Sequence, residues 1–373
     1  MNKWYMFLFA AVLCCMPNLA SAYEPATVEF VRARVSQISE SLDLGDSMGE
    51  GVHQDIELHA LTGPDAGETI SMTHIIIGDR DDMKIEAGEV VILQRFLRED
   101  GNVHYSLQEK YRLRGLMIVL GFFLVLGVGI GRKRGFMSMA GLAISIGIIL
   151  FILFPLVIAG WNPLLTSIAV AFLIASTTVL VSHGCNQRTL LALIAIYITL
   201  IAAIVLAIIA VHISKLYGLG SEESIFLQFG GSTQLDLRGV FLAGIIIGTL
   251  GVLDDVTTAQ IAAVHEVSKA NPSYGFRDLY RSGTSVGHEH VASMINTLAL
   301  AYVGASLPLL LLFFFSEGVP VWVTLNSAFL AEEIVRILVG SSTLLLAVPV
   351  ATWLAAQVYS KRNAHFKLQA NQG

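Results

Sequence analysis

Cysteine is nearly absent from this chain. There are three in 373 residues, and two of them, Cys14 and Cys15, fall in a short apolar run at the start. Cys185 is left alone in the rest, so no intramolecular disulfide and no cysteine-based zinc site can form there. Charge is scarce too. Only 14% of residues are Asp, Glu, Lys or Arg, against 54% hydrophobic, which excludes an ordinary soluble protein and points to a membrane protein.

The little charge present is unevenly divided. Residues 23–110 carry 18 acidic and 7 basic side chains, a formal net charge of −11, whereas the remainder carries 11 acidic and 16 basic, a net +5. An acidic N-terminal segment therefore precedes a mildly basic apolar one, a balance that argues against a nucleic-acid partner.

Lys3, the run WYMFLFAAVLCCM and Ala20-Ser21-Ala22 follow the positive, apolar, small-x-small order of a secretory signal peptide, so residues 1–22 are expected to be cleaved after Ala22. Residues 23–110 hold five β-like runs, ATVEFVRARVSQI, HQDIELHAL, ETISMTHIII, GEVVILQRFL and NVHYSLQEKY, separated by turn-rich pieces such as TGPDAGE, GDRDDM and Glu99-Asp100-Gly101. They predict a small extracytoplasmic β-barrel or OB-like domain.

From residue 111 to 360, apolar runs long enough to cross a bilayer recur, at 115–131, 135–159, 163–182, 189–211, 239–263, 291–315 and 339–359. The expected fold class is thus an α-helical polytopic membrane protein with about seven spans after a signal peptide, carrying the small N-terminal β-barrel/OB-like domain. Arg132–Arg134, Arg188, Lys269, Arg277, Arg281, Lys361 and Arg362 all fall on one side of a seven-span chain. By the positive-inside rule that side is cytoplasmic, which puts the tail 361–373 inside and residues 23–110 outside. The implied location is a bacterial inner membrane. Residues 319–338, apolar but carrying Glu332, Glu333 and Arg336, are expected to form a helix that lies at the outer interface or is tucked into the protein before the last span.

Two adjacent acids, Asp254 and Asp255, stand inside the fifth span. Counted from Arg238, Asp254 is about 22 Å along a helix at 1.5 Å per residue. Charges at such depth usually face a polar cavity or a partner. A second reading has the aspartates capping a helix that restarts at Thr257-Thr258-Ala259-Gln260, a Thr-x-x-Gln capping box. Both readings hold together if the span is broken there, as in transporters. Further along, Glu289, Ser293, Asn296 and Thr297 form a polar stripe at helical spacing, with His288 and His290 beside Glu289 at the expected mouth of span six. Asn296 is open to two readings, ligand or interhelical tie. His288 and His290 diverge on a helix, and His-Glu-His is not the HExxH pattern of a zinc enzyme. Glu332 and Arg336 are spaced as an i, i+4 ion pair. Leu253-Asp254-Asp255-Val256 and Ala331-Glu332-Glu333-Ile334 share an outline that hints at an internal repeat. His183, ending span three, reads as a helix-dipole partner.

GTLGVLDDVTTAQ, GFRDLYRSGTSVGHEHVASMINTLALAYVGASLPLLLL, and EEIVR followed by GSSTLLLAVPVATWLAA together resemble the YibE/F family of bacterial multipass membrane proteins. The family pattern has an aspartate where this chain carries Glu289. The resemblance implies a topology class and motif positions, and no substrate.

The expected function is a transporter or permease-like protein. Asp254, Asp255, Thr258, Glu289 and Asn296 would form an intramembrane site for a cation, a proton or a small polar solute, with His288, His290, Glu332, Glu333 and Arg336 as secondary candidates. Its surroundings are the lipid bilayer, and no cofactor is expected. The alternative is a non-transporting envelope scaffold whose acidic outer domain, residues 23–110, docks a partner protein. An intramembrane aspartyl protease is disfavoured, because Gly251-Val252-Leu253-Asp254 lacks the second glycine of Gly-x-Gly-Asp.

Overall fold

The computed structural model of the protein describes residues 29–43, 51–77, 84–97, 103–230, 235–315 and 318–370. The expected signal peptide, residues 1–22, and the turns at 78–83 and 99–101 lie outside the described residues. The chain divides into two compact units near residue 126.

The first unit contains five strands, β1 (Glu29–Asp43), β2 (Gly51–Ala60), β3 (Thr69–Ile77), β4 (Val90–Leu97) and β5 (Val103–Lys110). They form one antiparallel sheet in the order β3-β2-β1-β4-β5, a near-barrel with β1 at its centre. All five strands fall where the residues predicted. In β1 the inward positions Val31, Ala33 and Val35 are fully buried while Phe30 faces out. The imperfect alternation has a physical cause. The register shifts between Val35 and Gln37, so one extra residue resets the inside-outside phase before Ile38. Val31, Val35, Ile56, Leu58, Val91 and Leu93 pack as the core of this unit.

Four side chains form a polar cluster across this unit. The Arg95 guanidinium donates through Nε to Asp65 at 2.8 Å and through Nη1 to Glu29 at 2.9 Å, and the Tyr105 hydroxyl donates to the same Asp65 oxygen. Hydrogen bonding from Tyr105 holds the Asp65 carboxyl below the usual carboxylate range. Burial, and then the bond to Asp65, pushes the Tyr105 phenol up to about 12.

The second unit, and residues 113–126 of the first, are helical. α1 (Leu113–Ile148) runs through a π-helical turn (Ile149–Leu153) into α2 (Phe154–Ile158). It is followed by α3 (Pro163–His183), α4 (Gln187–Ile213), α5 (Glu222–Gly230), α6 (Leu237–Ala270), α7 (Phe276–Ala305), α8 (Leu307–Phe315), α9 (Val321–Leu325) and α10 (Ala328–Ala370). Among the described residues, five helical segments are long and apolar enough to cross a membrane, and a sixth is added if α7 and α8, bent by 62°, make one span.

α1 is not one straight rod. Arg132 adopts φ 50°, ψ −135°, off the helical path. A Cβ added at Gly135 would run into the carbonyl oxygen of Gly127, an approach impossible between residues eight apart on a continuous helix. The chain therefore reverses at Arg132, in the basic turn where sequence placed the boundary between spans one and two.

α6 and α10 are the central pair, with α4 and α7 packed against both and α3 against α6. The pair runs parallel in constant register. Arg336 lies over the Phe241 ring at 5.6 Å, Gln260 donates to the Thr352 hydroxyl at 2.7 Å, and His265 meets Tyr359 with ring centroids 4.7 Å apart.

Two helices reach beyond the apolar runs of the sequence. α7 starts at Phe276, ahead of the run at 291–315, because Gly275 and Asp278 form a capped start and Gly283 and Gly287 let the polar half lie against α6 and α10. His288, Glu289 and His290 are consequently in mid-helix. Residues 319–338 are not a separate interfacial helix: only α9 is short, and Glu332, Glu333 and Arg336 belong to the first turns of α10. The Gly340-Ser341-Ser342-Thr343 stretch does not interrupt it, since the Thr343 hydroxyl bonds back to the Val339 carbonyl at 2.8 Å.

Candidate functional site

α6 is continuous for 34 residues from Leu237 to Ala270, and Asp254 stands at its middle. The expected break at Leu253 is absent. Thr257 donates its hydroxyl to the Leu253 carbonyl at 2.7 Å, and Thr258 donates to the Asp254 carbonyl at 2.8 Å. These hydroxyls bond back along the helix and cap nothing. Gln260 does not close a capping box either: its Nε2 donates to the Gly283 carbonyl and to Thr352, both at 2.7 Å, joining α6, α7 and α10. With the helix intact, the two carboxylates have no helix-end amides to satisfy.

Asp254 is half-buried, and its Oδ1 is buried with no hydrogen-bond partner among the described residues. Asp255 is exposed. Side chains of successive helical residues point about 100° apart, yet both acids reach one space. That space is a cavity of about 950 Å³ running along α6 past Thr258, Ala259 and Ala262 to His265. Opposite walls come from Arg134 and Ser138 of α1 and from Thr178, Ser182 and His183 at the end of α3. Asn186 caps α4 by accepting the amides of Arg188 and Thr189, which fixes both residues on the cavity wall. Tyr359 and Arg362 of α10 complete it.

The lining is chemically graded. Asp254 and Asp255 occupy one end, where His183 and His290 are near enough to act on the Asp255 charge. From Asp254 to His265 is 11 residues, or about 16 Å of helix. At that far end stand Arg188, Arg362, Thr189, His265 and Tyr359. Thr189 Oγ1, His265 Nδ1 and the Tyr359 hydroxyl are each buried without a partner among the described residues.

Of the residues singled out by sequence, Asp254, Asp255 and Thr258 meet in this cavity. Glu289 and Asn296 do not line it: they lie on the exposed side of α7 with His288, Ser293 and Thr297. Glu332 is elsewhere and buried, 4% exposed, accepting the Gly220 amide at 3.0 Å. That contact turns it away from Arg336, whose hydrogen-bonded partner is Glu333 at i, i+3 rather than Glu332 at i, i+4. In the observed register Asp254 is level with about residue 347, so the Glu332-Glu333 pair lies about 20 Å away along the helices. The two acid pairs are separate places. Among the described residues no group of three or more His, Cys, Asp and Glu is placed to hold a metal ion.

Sequence reasoning used Arg134, Arg188 and Arg362 only as topology markers and missed Thr189, His265 and Tyr359. The spacing of Asp254, Thr258 and His265 along one face of α6 was the signal available for His265. No local signal marked Tyr359.

Apolar helices with a central acid pair beside a polar cavity, together with a five-stranded sheet, define a polytopic membrane protein with an N-terminal β unit. The model of the family described as YibE/F-like protein matches residues 119–361, and the chain belongs to that family. Neither the curated proteins nor the solved structures yield a match.

Proposed function

We propose that the protein is a transporter or permease-like protein of a bacterial inner membrane, not an enzyme, and that the cavity at Asp254 and Asp255 binds a cation, a proton or a small polar solute. The observation that carries this reading is the Asp254 carboxyl. It stands at the middle of a spanning helix, one oxygen is buried and unpartnered, and it opens on a polar space of about 950 Å³. An acid placed so in hydrocarbon costs at least about 2.5 kcal/mol unless a polar cavity or ligand receives it.

Seven crossings fit this reading, taking the reversal at Arg132 as a turn between two spans and α7 with α8 as one bent span. Arg134, Arg188, His265 and Arg362 come from four different helix ends yet line one cavity, as a topology with all those ends on one side requires. We assign that side to the cytoplasm, because it is the basic one. The β unit then lies outside, and its strand order supports an OB-like barrel.

The deciding experiment is transport by the full chain in proteoliposomes. Asp254→Asn and Asp255→Asn should abolish uptake while folded protein stays in the membrane, and full activity in both variants defeats the reading. A scaffold role has its own support: the β unit belongs to a segment, residues 23–110, of net charge −11, suited to a basic partner protein. Loss of phenotype on deleting residues 23–110, with transport intact, would favour it.

A further inference from the structure

We infer that the end of the cavity opposite the aspartates is an oxyanion site, taking the carboxylate or phosphate group of the bound solute on Arg362, Arg188, Tyr359, His265 and Thr189. The inference rests on the cavity being the solute site proposed above and names the chemistry of one end of that solute.

Three independent features converge. First, Thr189, His265 and Tyr359 all line the cavity, are only 2%, 5% and 1% exposed, and each carries a buried polar atom with no partner among the described residues. Buried polar groups are almost always paired, so three orphans around one space mark what that space is built to hold. Second, all three can donate: two hydroxyls, and the His265 ring in its Nδ1–H tautomer. Third, two guanidiniums complete the set. Arg362 lies over the Tyr359 ring at 5.4 Å and lines the cavity. Arg188 has Glu266 as a distant ion partner at 3.6 Å. Both arginines are close enough for their charges to act on His265 and on Tyr359.

Glu266 pairs with Arg188 beside this end but does not line the cavity, so the wall there presents donors and cations, which select an acceptor-only, negatively charged group, and Arg forks match the oxygens of carboxylate and phosphate. A cation would meet two guanidiniums there. The opposite end differs, since Asp254 and Asp255, with Arg134 and His183 on the wall beside them, repel a second anion and favour an ammonium, a hydroxyl or a coupling proton. The solute class is therefore one with a single oxyanion at one end and a cationic or donor-bearing remainder, oriented across the cavity with its oxyanion toward Arg362.

Binding to the purified full chain in nonionic detergent tests this without recourse to transport. Inorganic phosphate and acetate are titrated against chloride at matched ionic strength, with thermal unfolding as the readout. Phosphate or acetate should raise the unfolding temperature saturably, and chloride should not. Tyr359→Phe removes one unpartnered oxygen and leaves the fold intact, so it should weaken oxyanion binding about tenfold or more, as should Arg362→Gln. Lys361→Gln, which removes an equal charge from a residue outside the cavity, should leave binding unchanged.

Asp254→Asn should keep the oxyanion response even where it abolishes transport, which separates failure of this inference from failure of the transport reading. In nanodiscs, a phosphate response that weakens when phosphatidylglycerol replaces phosphatidylcholine identifies a lipid headgroup as the source of the oxyanion. An unchanged response identifies a free solute. An equal response to chloride, or wild-type oxyanion affinity in both Tyr359→Phe and Arg362→Gln, overturns the site.

Discussion

His265 of α6 and Tyr359 of α10 meet with ring centroids 4.7 Å apart, and both residues line the cavity while each keeps a buried polar atom without a partner among the described residues. The contact joins the two central helices at the end of the cavity remote from Asp254. The helix pair thus both holds the bundle together and shapes its polar interior.

The carboxylate at mid-helix should matter for activity and not for folding. Asp254→Asn keeps the shape and removes the charge, so the initial rate of uptake in proteoliposomes should fall at least about tenfold, equivalent to ~1.4 kcal/mol of barrier. Size-exclusion profile and unfolding temperature should match wild type or improve slightly, because a buried uncompensated charge is removed.

The Gln260 tie should behave in the opposite way. Its Nε2 serves both the Gly283 carbonyl and the Thr352 hydroxyl, and such interhelical bonds in membrane proteins are worth about 0.6–2 kcal/mol each. Gln260→Leu should lower stability in detergent unfolding by about 1–3 kcal/mol. Gly287→Leu should be worse, since a Cβ at that position already runs into Val348 and Gln260.

Glu332 and Glu333 are adjacent but should respond differently. Glu332→Ala leaves the Gly220 amide without its acceptor in a buried place and should cost about 1–3 kcal/mol of stability. Glu333→Ala breaks a partly exposed pair with Arg336 and should cost less, about 0–1 kcal/mol. Parallel unfolding curves of the two variants provide the check.

In the β unit, the Asp65–Tyr105 bond predicts stability at both ends of the pH scale. Asp65 has a lowered pKa in the fold, so its contribution is complete above the unfolded carboxylate value and is lost as pH falls through the lower folded one. Tyr105 is raised from 10 to about 12, so its contribution is complete below pH 10 and is lost as pH rises toward 12. Absorbance titration of the full chain against Tyr105→Phe should show one phenol missing from the group that ionises near 12.

Cys185 is exposed beside the α3–α4 turn. With that turn on the cytoplasmic side, a membrane-impermeant maleimide should label it only after permeabilisation of spheroplasts. Labelling of intact spheroplasts would reverse the orientation.

Much of this architecture was legible residue by residue. Val31, Ala33 and Val35 announce a strand by alternation, and uninterrupted apolar stretches such as 189–211 announce a span by length, because each signal is local and repeats with the period of its own element. The Arg132 turn was legible for the same reason, a basic and glycine-rich interruption between apolar runs. The reading of Thr257-Thr258-Ala259-Gln260 as a cap failed, because the same four residues serve equally well as back-bonding hydroxyls and an interhelical tie. Which role they take depends on Gly283 and Thr352, and neither is near them in sequence.

The sequence by itself determined that this is a helix-rich protein with a β-rich acidic N-terminal unit, that its family is YibE/F-like, and that Asp254 and Asp255 sit inside a segment long and apolar enough to cross a membrane. Composition, periodicity and charge sign are properties of the chain before it folds. Only the tertiary structure decided which residues accompany the aspartates. It set Glu289 and Asn296 aside on the exposed side of α7 and brought Thr189, His265, Tyr359 and Arg362 to the cavity from three helices. The reason is geometric: a site between packed helices is set by their register, and register is the sum of many weak contacts that no single segment encodes.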